Sequence, residues 1–254
     1  MARLLVRRPS SRLADGELTH LDRLPVDVER ARAEWEGYVQ VFRGRGWDVV
    51  EVAPADEQPD GVFVEDAVVV FGDLAVLCRA GAASRRGEAP TVRAAADALG
   101  VEVAEIVAPG TLDGGDVLKV GRTVYVGASS RTNGSGIAQL RALLAPRGWE
   151  VVAVPVTRVL HLKSGVTALP DGTVIGYEPL VDDPEVFADF LAVPEPHGTA
   201  VVVLDEGTVL MSADAPGTAA LLRERGLEVV TVPVGEFEKL EGCVTCLSVR
   251  LRAA

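Results

Sequence analysis

The sequence predicts an α/β fold in which five similar strand–hairpin–helix units form a ring. Two observations lead to this prediction: a Gly-containing phrase recurs along the chain, and a β-hairpin follows it in most units. The phrase contains Gly46, Gly100, Gly148 and Gly226, which lie 54, 48 and 78 residues apart. The last interval is long enough for one degenerate copy, ending at residues 190–194. The chain therefore holds units of about 40 to 55 residues, the size of supersecondary repeats.

Each unit begins with a helical pattern that leads into a strand. Apolar residues recur at helical spacing before each of the four glycines, and glycine commonly follows the last turn of a helix. The Val-rich run after each glycine alternates as a β-strand does. The predicted helices cover residues 28–42, 91–99, 136–144 and 218–224.

The hairpins are predicted by paired apolar runs joined by Gly-containing turns, which suit the twist of antiparallel strands. We expect residues 3–7 to complete the fifth unit beside the segment that carries Cys246, so that the two ends of the repeat array meet. No linker or low-complexity tract divides the chain, which predicts a single domain over residues 1–254. The predicted hairpin strands are residues 67–71 with 74–78, 116–120 with 123–127, 165–169 with 173–176, and 200–204 with 208–211.

Composition narrows the possible partners. Hydrophobic residues make up 48% and charged residues 24% of the 254 residues, and the formal net charge is -12. An acidic chain repels phosphate backbones and anionic lipid, so we expect neither nucleic acid nor a membrane as partner, and a cationic small molecule fits better. The apolar runs are strand-sized, and three cysteines suggest no disulfide framework. A cytoplasmic protein with reduced thiols is expected.

Reactive side chains recur at the start of the first hairpin strand of separate units. The fourth unit has none there, and the segment 240–251 of the fifth unit is predicted to be a buried strand. Because the strand starts of a ring face one central channel, residues far apart in sequence would converge on one site. The residues in question are Glu65 and Asp66, Asp113 and Asp116, His161, and Glu241 with Cys246.

Cys246 is the candidate nucleophile of this site, although a free cysteine is most often an inert apolar residue. Its competitor, Cys243, lies three residues earlier, and a strand would point the two thiols to opposite faces. This geometry also argues against a zinc site, since no second cysteine pair exists. His161 suits general acid–base catalysis near neutral pH, and Asp113 could orient its ring.

The acidic residues suggest a cradle for a planar cation. Glu65 and Asp66 interrupt an apolar run, where buried charge needs a cationic partner, and a guanidinium pairs well with carboxylates. Asp60 adds a third acid just upstream. Arg85 and Arg131 lie in loops and could bind a carboxylate, although most loop arginines are simply solvated.

Together and in this order, the motifs resemble those of the dimethylarginine dimethylaminohydrolases, in the guanidino-group-modifying pentein superfamily. The resemblance extends over essentially the whole chain. It implies a five-bladed αβ propeller, in agreement with the repeats, and hydrolysis of N(omega)-methylated L-arginine to L-citrulline through a covalent cysteine intermediate without a cofactor. The matching segments are residues 60–66, 81–88, 112–116, 130–133, 160–164 and 242–248.

The resemblance also implies a role for each candidate residue. Cys246 would be the nucleophile, His161 the general acid and base, and Asp113 the third member of the triad, where some bacterial members have glutamate. Asp66 with Glu65 would hold the guanidinium. The remaining expected contacts are Asp60 near the α-amino group, Arg85 and Arg131 on the α-carboxylate, Leu18 in a lid loop, and Leu240 near the amino group.

Two alternatives remain open from the sequence. Arginine deiminases and amidinotransferases share this fold, but they are usually longer than 254 residues. A non-catalytic binder of arginine-like cations would keep the acidic cradle, although the Cys246, His161 and Asp113 set argues against it. Either a monomer or a homodimer is compatible with the sequence.

Overall fold

Five three-stranded sheets with one shared topology make up the computed structural model, which describes residues 2–252. In each sheet the middle strand is antiparallel to the first strand and parallel to the third, as β4 is to β3 and β5. The predicted α/β fold of five repeats is therefore confirmed. The first strands are β3 Val68–Phe71, β6 Val117–Val120, β9 Val166–Ala168, β12 Val201–Val203 and β15 Val249–Leu251. The middle strands are β4 Leu74–Leu77, β7 Thr123–Ala128, β10 Val174–Gly176, β13 Thr208–Ser212 and β1 Arg3–Val6. The third strands are β5 Glu102–Glu105, β8 Glu150–Pro155, β11 Phe190–Ala192, β14 Glu228–Val232 and β2 Asp48–Glu51.

In four of the five sheets a helix of nine or more residues connects the middle strand to the third, and two four-residue helices precede the first strands β9 and β15. Asp27 accepts hydrogen bonds from the backbone N–H groups of Glu29 and Arg30 and so caps the first helix, and Asn133 caps the third. The four repeated glycines all have φ between 72° and 91°, a left-handed conformation that turns the chain from helix to strand at little steric cost. The helices are α1 Val28–Gly44, α2 Ala89–Ala98, α3 Gly134–Leu144, α4 Leu162–Gly165, α5 Pro216–Glu224 and α6 Gly235–Glu238.

The third sheet departs from the other four. Between β10 and β11 the chain forms only two 3₁₀ turns, Glu178–Leu180 and Pro184–Val186, where the other units have a helix. Phe187 packs edge-on against Tyr125 of the preceding sheet, with ring centroids 4.9 Å apart. This unit is the degenerate copy predicted at residues 190–194, and the missing helix explains why its glycine phrase is absent.

The ring closes through a sheet that contains both ends of the repeat array. β1 pairs with β15 on one side, Leu4 opposite Arg250, and with β2 on the other, Leu4 opposite Val49. The closure predicted for residues 3–7 is thus confirmed. A cavity of about 480 Å³ is lined by residues from all five first strands, which places these strands around the centre of the ring.

Across residues 2–252, none of the helices combines the length and the apolar character that a membrane span requires. The single domain over residues 1–254 stays a prediction, and its first residue and last two lie outside the described range.

Candidate active site

The segments that lead into the first strands form the wall of the candidate site. They are short turns: Val64–Asp66 before β3, Gly114–Asp116 before β6, and α4 before β9. A turn presents consecutive side chains in different directions, so one segment can serve both sides of the wall. These turns come together at one end of the ring, as the sequence predicted for the strand starts.

A small cavity of about 20 Å³ lies on one side of this wall. Of the sequence-predicted residues, Asp60, Asp66, Arg85, Arg131, His161, Leu240 and Cys246 line it together. The other lining residues are Glu17, Phe63, Leu160, Glu241 and Gly242. Six separate parts of the chain therefore meet around one hollow.

Cys246 is buried at this cavity, but the prediction that it lies in a strand is wrong. Residues 243–247 form turns, and β15 begins only at Val249. The backbone N–H of Cys246 donates to the carbonyl of Cys243 at 3.1 Å, and the two sulfur atoms are 3.5 Å apart. The expectation that the thiols point to opposite faces is therefore also wrong, because that rule holds for an extended chain and not for a turn.

The surroundings of Cys246 favour the neutral form of its thiol. The hydrogen bond with Cys243, burial, and the negative charges of Cys243, Glu65 and Asp66 all raise the pKa of Cys246 well above its ordinary value. A positive charge bound beside Asp66 would act in the opposite direction.

His161 lies between two carboxylates. Its Nε2 is 3.1 Å from Oδ2 of Asp113, and its Nδ1 is 3.7 Å from Oδ1 of Asp66. Burial opposes the charged imidazolium, but the Asp66 charge, the Asp113 hydrogen bond and the Asp116 charge outweigh it and raise the pKa of His161 to about 9. The ring is therefore protonated at neutral pH.

Two glycines make this approach possible. A side chain at Gly115 would come 2.6 Å from His161 Nδ1 and 2.7 Å from Asp66 Oδ1, and one at Gly114 would overlap the carbonyl oxygen of Glu65. The N–H of Gly115 donates to Asp66 at 3.0 Å. Glycine at these two positions therefore allows the backbone before β6 to lie against the segments of Glu65 and His161.

Asp116, which the sequence singled out without a role, fixes the histidine segment. It is fully buried, and its Oδ1 accepts a hydrogen bond from the N–H of Leu162 at 2.9 Å. Its other oxygen accepts from the hydroxyl of Ser129 at 2.6 Å. The side chain acts on the site through the backbone beside His161.

Asp66 is the carboxylate best placed for a bound cation. Burial alone would raise its pKa, but the charges of His161 and Arg85 lower it below the ordinary value. Arg85 donates to Asp66 at 2.6 Å and to both oxygens of Glu88, at 2.8 and 3.0 Å. Arg85 was predicted to bind a substrate carboxylate, but most of its N–H donors bind the carboxylates of Asp66 and Glu88.

The loop over the cavity is tied down by its backbone. The N–H of Glu17 donates to Asp60 at 3.1 Å, and the carboxylate of Glu17 is 3.1 Å from Arg131. The N–H groups of Thr19 and Leu21 donate to Glu241 at 3.0 and 2.8 Å. The loop therefore covers the cavity, and Glu17 contacts Asp60, predicted near the α-amino group, and Arg131, one of the two arginines predicted on the α-carboxylate.

Leu18 and Glu65 lie outside the small cavity. Leu18 is half-buried and packs against the core beneath the lid loop, so its neighbour Glu17 takes the position over the site. Glu65 faces the large central cavity instead, where Oε1 is 2.6 Å from Lys163 and 2.7 Å from Arg250. The Glu65 side chain therefore does not join Asp66 around the hollow.

Sequence reasoning missed Glu17, Glu88 and Lys163. Glu88 closes the same motif as Arg85, three residues later, and that spacing on a helical turn was a usable signal. Glu17 gave no signal of its own, because its partners lie 43 and 114 residues away along the chain.

The arrangement suits nucleophilic chemistry on a cationic substrate. A thiol, an imidazolium and a carboxylate line one hollow. Within residues 2–252, no three or more His, Cys, Asp or Glu side chains are grouped so that they could hold a metal ion.

Comparison with known proteins gives consistent results. A family model described as N,N dimethylarginine dimethylhydrolase, eukaryotic, matches residues 23–166. The N(G),N(G)-dimethylarginine dimethylaminohydrolase of Streptomyces coelicolor is 58% identical over 98% of this chain and 96% of its own.

Two solved structures superpose closely. One is a Cys-to-Ser mutant of the Pseudomonas aeruginosa enzyme complexed with citrulline, with a TM-score of 0.91, 30% identity and 98% of both chains covered. The other is a His-to-Gly dimethylarginine dimethylaminohydrolase in an adduct with S-methyl-L-thiocitrulline, with a TM-score of 0.90, 30% identity, and 99% of this chain and 100% of that one covered.

Proposed function

Since the chain belongs to the dimethylarginine dimethylaminohydrolase family, we propose that it hydrolyses N(omega)-methylated L-arginine to L-citrulline and dimethylamine or methylamine. The observation that supports this proposal most directly is that Cys246, His161 and Asp66 line one cavity although they come from separate blades. The relatives' complex with citrulline and adduct with S-methyl-L-thiocitrulline support the same substrate class and a covalent route.

Binding begins with the charges of the substrate. Asp66, whose pKa is lowered, is ionised and takes the guanidinium. Asp60 takes the α-ammonium group and Arg131 the α-carboxylate. Glu17 contacts both of these residues, so the lid loop must release them as the substrate enters.

The attacking group is the thiolate of Cys246. The bound guanidinium sets a positive charge beside the thiol, which lowers the raised pKa of Cys246 and releases its proton to solvent. The thiolate then attacks the guanidino carbon and forms a carbon–sulfur bond. The cation makes this carbon electrophilic, so no metal is needed.

His161 supplies the proton for the leaving group. The imidazolium, held in place by Asp113 at 3.1 Å, gives its proton to the methylated nitrogen as the carbon–nitrogen bond breaks. The amine departs and an S-alkylthiouronium remains on Cys246. The neutral imidazole then takes a proton from water, the water oxygen bonds to the carbon, and the Cys246 thiolate leaves L-citrulline behind.

The test is a substrate panel with citrulline as the measured product. Dimethylarginine, monomethylarginine and arginine are compared at equal concentrations with wild type, Cys246→Ser and Cys78→Ala, in which a thiol outside the cavity is removed. We expect wild type and Cys78→Ala to turn over the methylated substrates faster than arginine, and Cys246→Ser to form no citrulline. Turnover of arginine at an equal or higher rate would assign the chain to deiminase chemistry instead.

Compartment and assembly follow from the same site. The mechanism needs Cys246 as a free thiol, which supports action in the reducing cytoplasm. One chain supplies a thiol, an imidazolium and a carboxylate at the cavity, which is compatible with activity either as a monomer or as a homodimer.

A further inference from the structure

We propose that Cys243 and Cys246 form a redox-active dithiol, a modification site at which the nucleophile is reversibly converted into an intramolecular disulfide. The proposal starts from position alone. The sulfur atoms are 3.5 Å apart, so a small rotation of one side chain brings them to the 2.0 Å of a bond. Cys78, the third thiol, is buried elsewhere and packs in a core between other sheets.

The backbone between the two cysteines already has the required shape. Cys246 N–H donates to Cys243 C=O at 3.1 Å, which makes residues 243–246 a hydrogen-bonded turn. Such a turn holds the first and fourth Cα atoms within about 7 Å, and disulfides span Cα separations of about 4.4 to 6.8 Å. Formation of the disulfide therefore needs no rearrangement of the five-repeat fold.

The two thiols open onto different sides of the wall. Cys246 is buried and lines only the small cavity under the lid loop. Cys243 is half-buried and lines a separate surface cavity of about 830 Å³, together with Val244 and Ser164. A thiol reagent can therefore reach Cys243 while the lid stays closed over Cys246.

The surroundings of Cys243 favour its reactive form. Cys246 donates a hydrogen bond to its sulfur, and although burial opposes the thiolate, Thr245 Oγ1 at 3.3 Å adds a second bond, so the pKa of Cys243 is lowered. The pKa of Cys246 is raised by the same pairing. Cys243 is thus the attacking thiol and Cys246 the resolving one, although Cys246 is the nucleophile of the proposed catalysis.

The chemistry balances with a low-molecular-weight disulfide as oxidant. The Cys243 thiolate attacks one sulfur of the reagent, its S–S bond breaks, and one thiolate leaves and takes up a proton. Cys246 then loses its proton, attacks the Cys243 sulfur of the mixed disulfide and displaces the second thiolate. The protein dithiol is oxidised by two electrons, and the reagent is reduced to two thiols. A thiol reductant reverses both steps.

The consequence is a temporary loss of the nucleophile that protects it from irreversible oxidation. A sulfur tied to Cys243 cannot attack a guanidino carbon and is not free to proceed to sulfinic acid. The dithiol itself is detected by mass and does not depend on the proposed activity, so failure of one can be told from failure of the other.

The experiment treats the reduced full-length protein with 2-hydroxyethyl disulfide and follows thiols and activity together. Cleavage after Lys239 and Arg250 releases residues 240–250, which hold Cys243 and Cys246 and no other cysteine. We expect this peptide to become about 2 Da lighter and to resist alkylation, in parallel with loss of activity, and dithiothreitol to restore both.

Matched variants decide between this site and general thiol oxidation. Cys243→Ala and Cys243→Ser cannot form the intramolecular disulfide. Each variant should therefore keep its own starting activity at least about tenfold longer than wild type at the same reagent concentration. Cys78→Ala should behave as wild type. Inactivation of the Cys243 variants as fast as wild type, or recovery of wild-type peptide with the reagent bound to Cys246 and Cys243 free, would overturn the proposal.

Discussion

Two cavities lie back to back inside the ring, and the segments 65–66, 161–163 and 245–246 lie between them. From each segment one residue faces the small cavity and a close neighbour faces the large one: Asp66 and Glu65, His161 and Lys163, Cys246 and Thr245. The small cavity holds the groups with chemistry to perform. On the other side, Glu65 is neutralised by two cations, Lys163 and Arg250.

The difference teaches how buried charge can be divided between structure and function. Asp66, paired with Arg85 and His161, lines the small cavity that a substrate can enter, while Glu65, paired with Lys163 and Arg250, faces the large cavity. A buried ion pair is costly to break because the remaining charge loses its partner. We therefore expect substitutions on one side to change activity and those on the other to change stability.

The largest expected effect separates Cys246 from its neighbour. Cys246→Ser should lower kcat by at least about 10⁴-fold, because a hydroxyl is a far weaker nucleophile at this position. Thr245→Ser keeps the hydroxyl that contacts Cys243 and should change kcat by less than about threefold. Steady-state citrulline formation measures both. Comparable losses in the two variants would show that the segment works as one unit and not as two faces.

The next prediction compares the effects of two substitutions on kcat and on the free energy of unfolding. His161→Gln removes the proton donor and should lower kcat by about 10² to 10⁴-fold with a modest effect on unfolding. Lys163→Met leaves Glu65 with Arg250 alone and should lower the free energy of unfolding by about 2 kcal/mol, with kcat reduced less than tenfold. Urea unfolding and kinetics on the same preparations give the four values. A Lys163→Met enzyme that is stable but inactive would contradict the assignment of activity to one side of the wall and stability to the other.

A smaller effect concerns substrate affinity. Arg131 lies at the small cavity, 3.1 Å from the Glu17 carboxylate, and Arg131→Gln should raise KM for dimethylarginine about 10 to 100-fold. Lys119 lines the large cavity, and Lys119→Gln should leave KM within about twofold. Initial rates over a range of substrate concentrations test the pair, and an equal rise in KM would place substrate on both sides of the wall.

The most subtle contrast is in protonation. The pKa of His161 is raised to about 9, whereas burial and the charges of Lys163 and Arg250 lower the pKa of Lys119 to about 7. Between these values the imidazole is charged and the amine is neutral, the reverse of their usual order. NMR titration of labelled His161 and Lys119 would measure both, and Asp113→Asn should lower the first by about one unit.

The same shifts set opposite pH dependences of stability. A raised folded-state pKa means that the stabilisation from His161 is complete below pH 6.5 and is lost as pH rises through about 9. A lowered pKa means that Lys119 costs stability at pH 7 and that this cost disappears as pH rises toward 10.5. Unfolding of His161→Gln and Lys119→Gln against wild type at pH 6 and 9 should show differences of opposite sign.

Local sequence signals allowed the fold to be predicted, because each repeat unit marks its own helix ends and hairpin turns with glycine. The glycines after the helices have positive φ, and the hairpin turns carry glycine, so helix ends and strand pairs could be read within a few residues. The third unit was harder, since its 3₁₀ turns between β10 and β11 leave no helical period to detect.

The site residues were found as a group, but their directions were not. The turn at Val64–Asp66 decides which of two adjacent side chains, Glu65 or Asp66, faces the small cavity. A shift of one residue in this turn would exchange the cavities that the two side chains face. The thiols of Cys243 and Cys246 were separated on the assumption of a strand, while the tightly packed chain at this point forms a turn. Arg85 was assigned to substrate although the i,i+3 spacing of Glu88 was a local signal for the ion pair that the two residues form.

Ring closure has a consequence for biosynthesis. β1 is synthesised before the other strands described here, but one of its two partners, β15, is synthesised after all of them. The sulfur that performs the reaction lies just ahead of that last strand. A nascent chain interrupted anywhere upstream would therefore lack both its final seam and its reactive atom, so catalytic competence and completion of synthesis coincide.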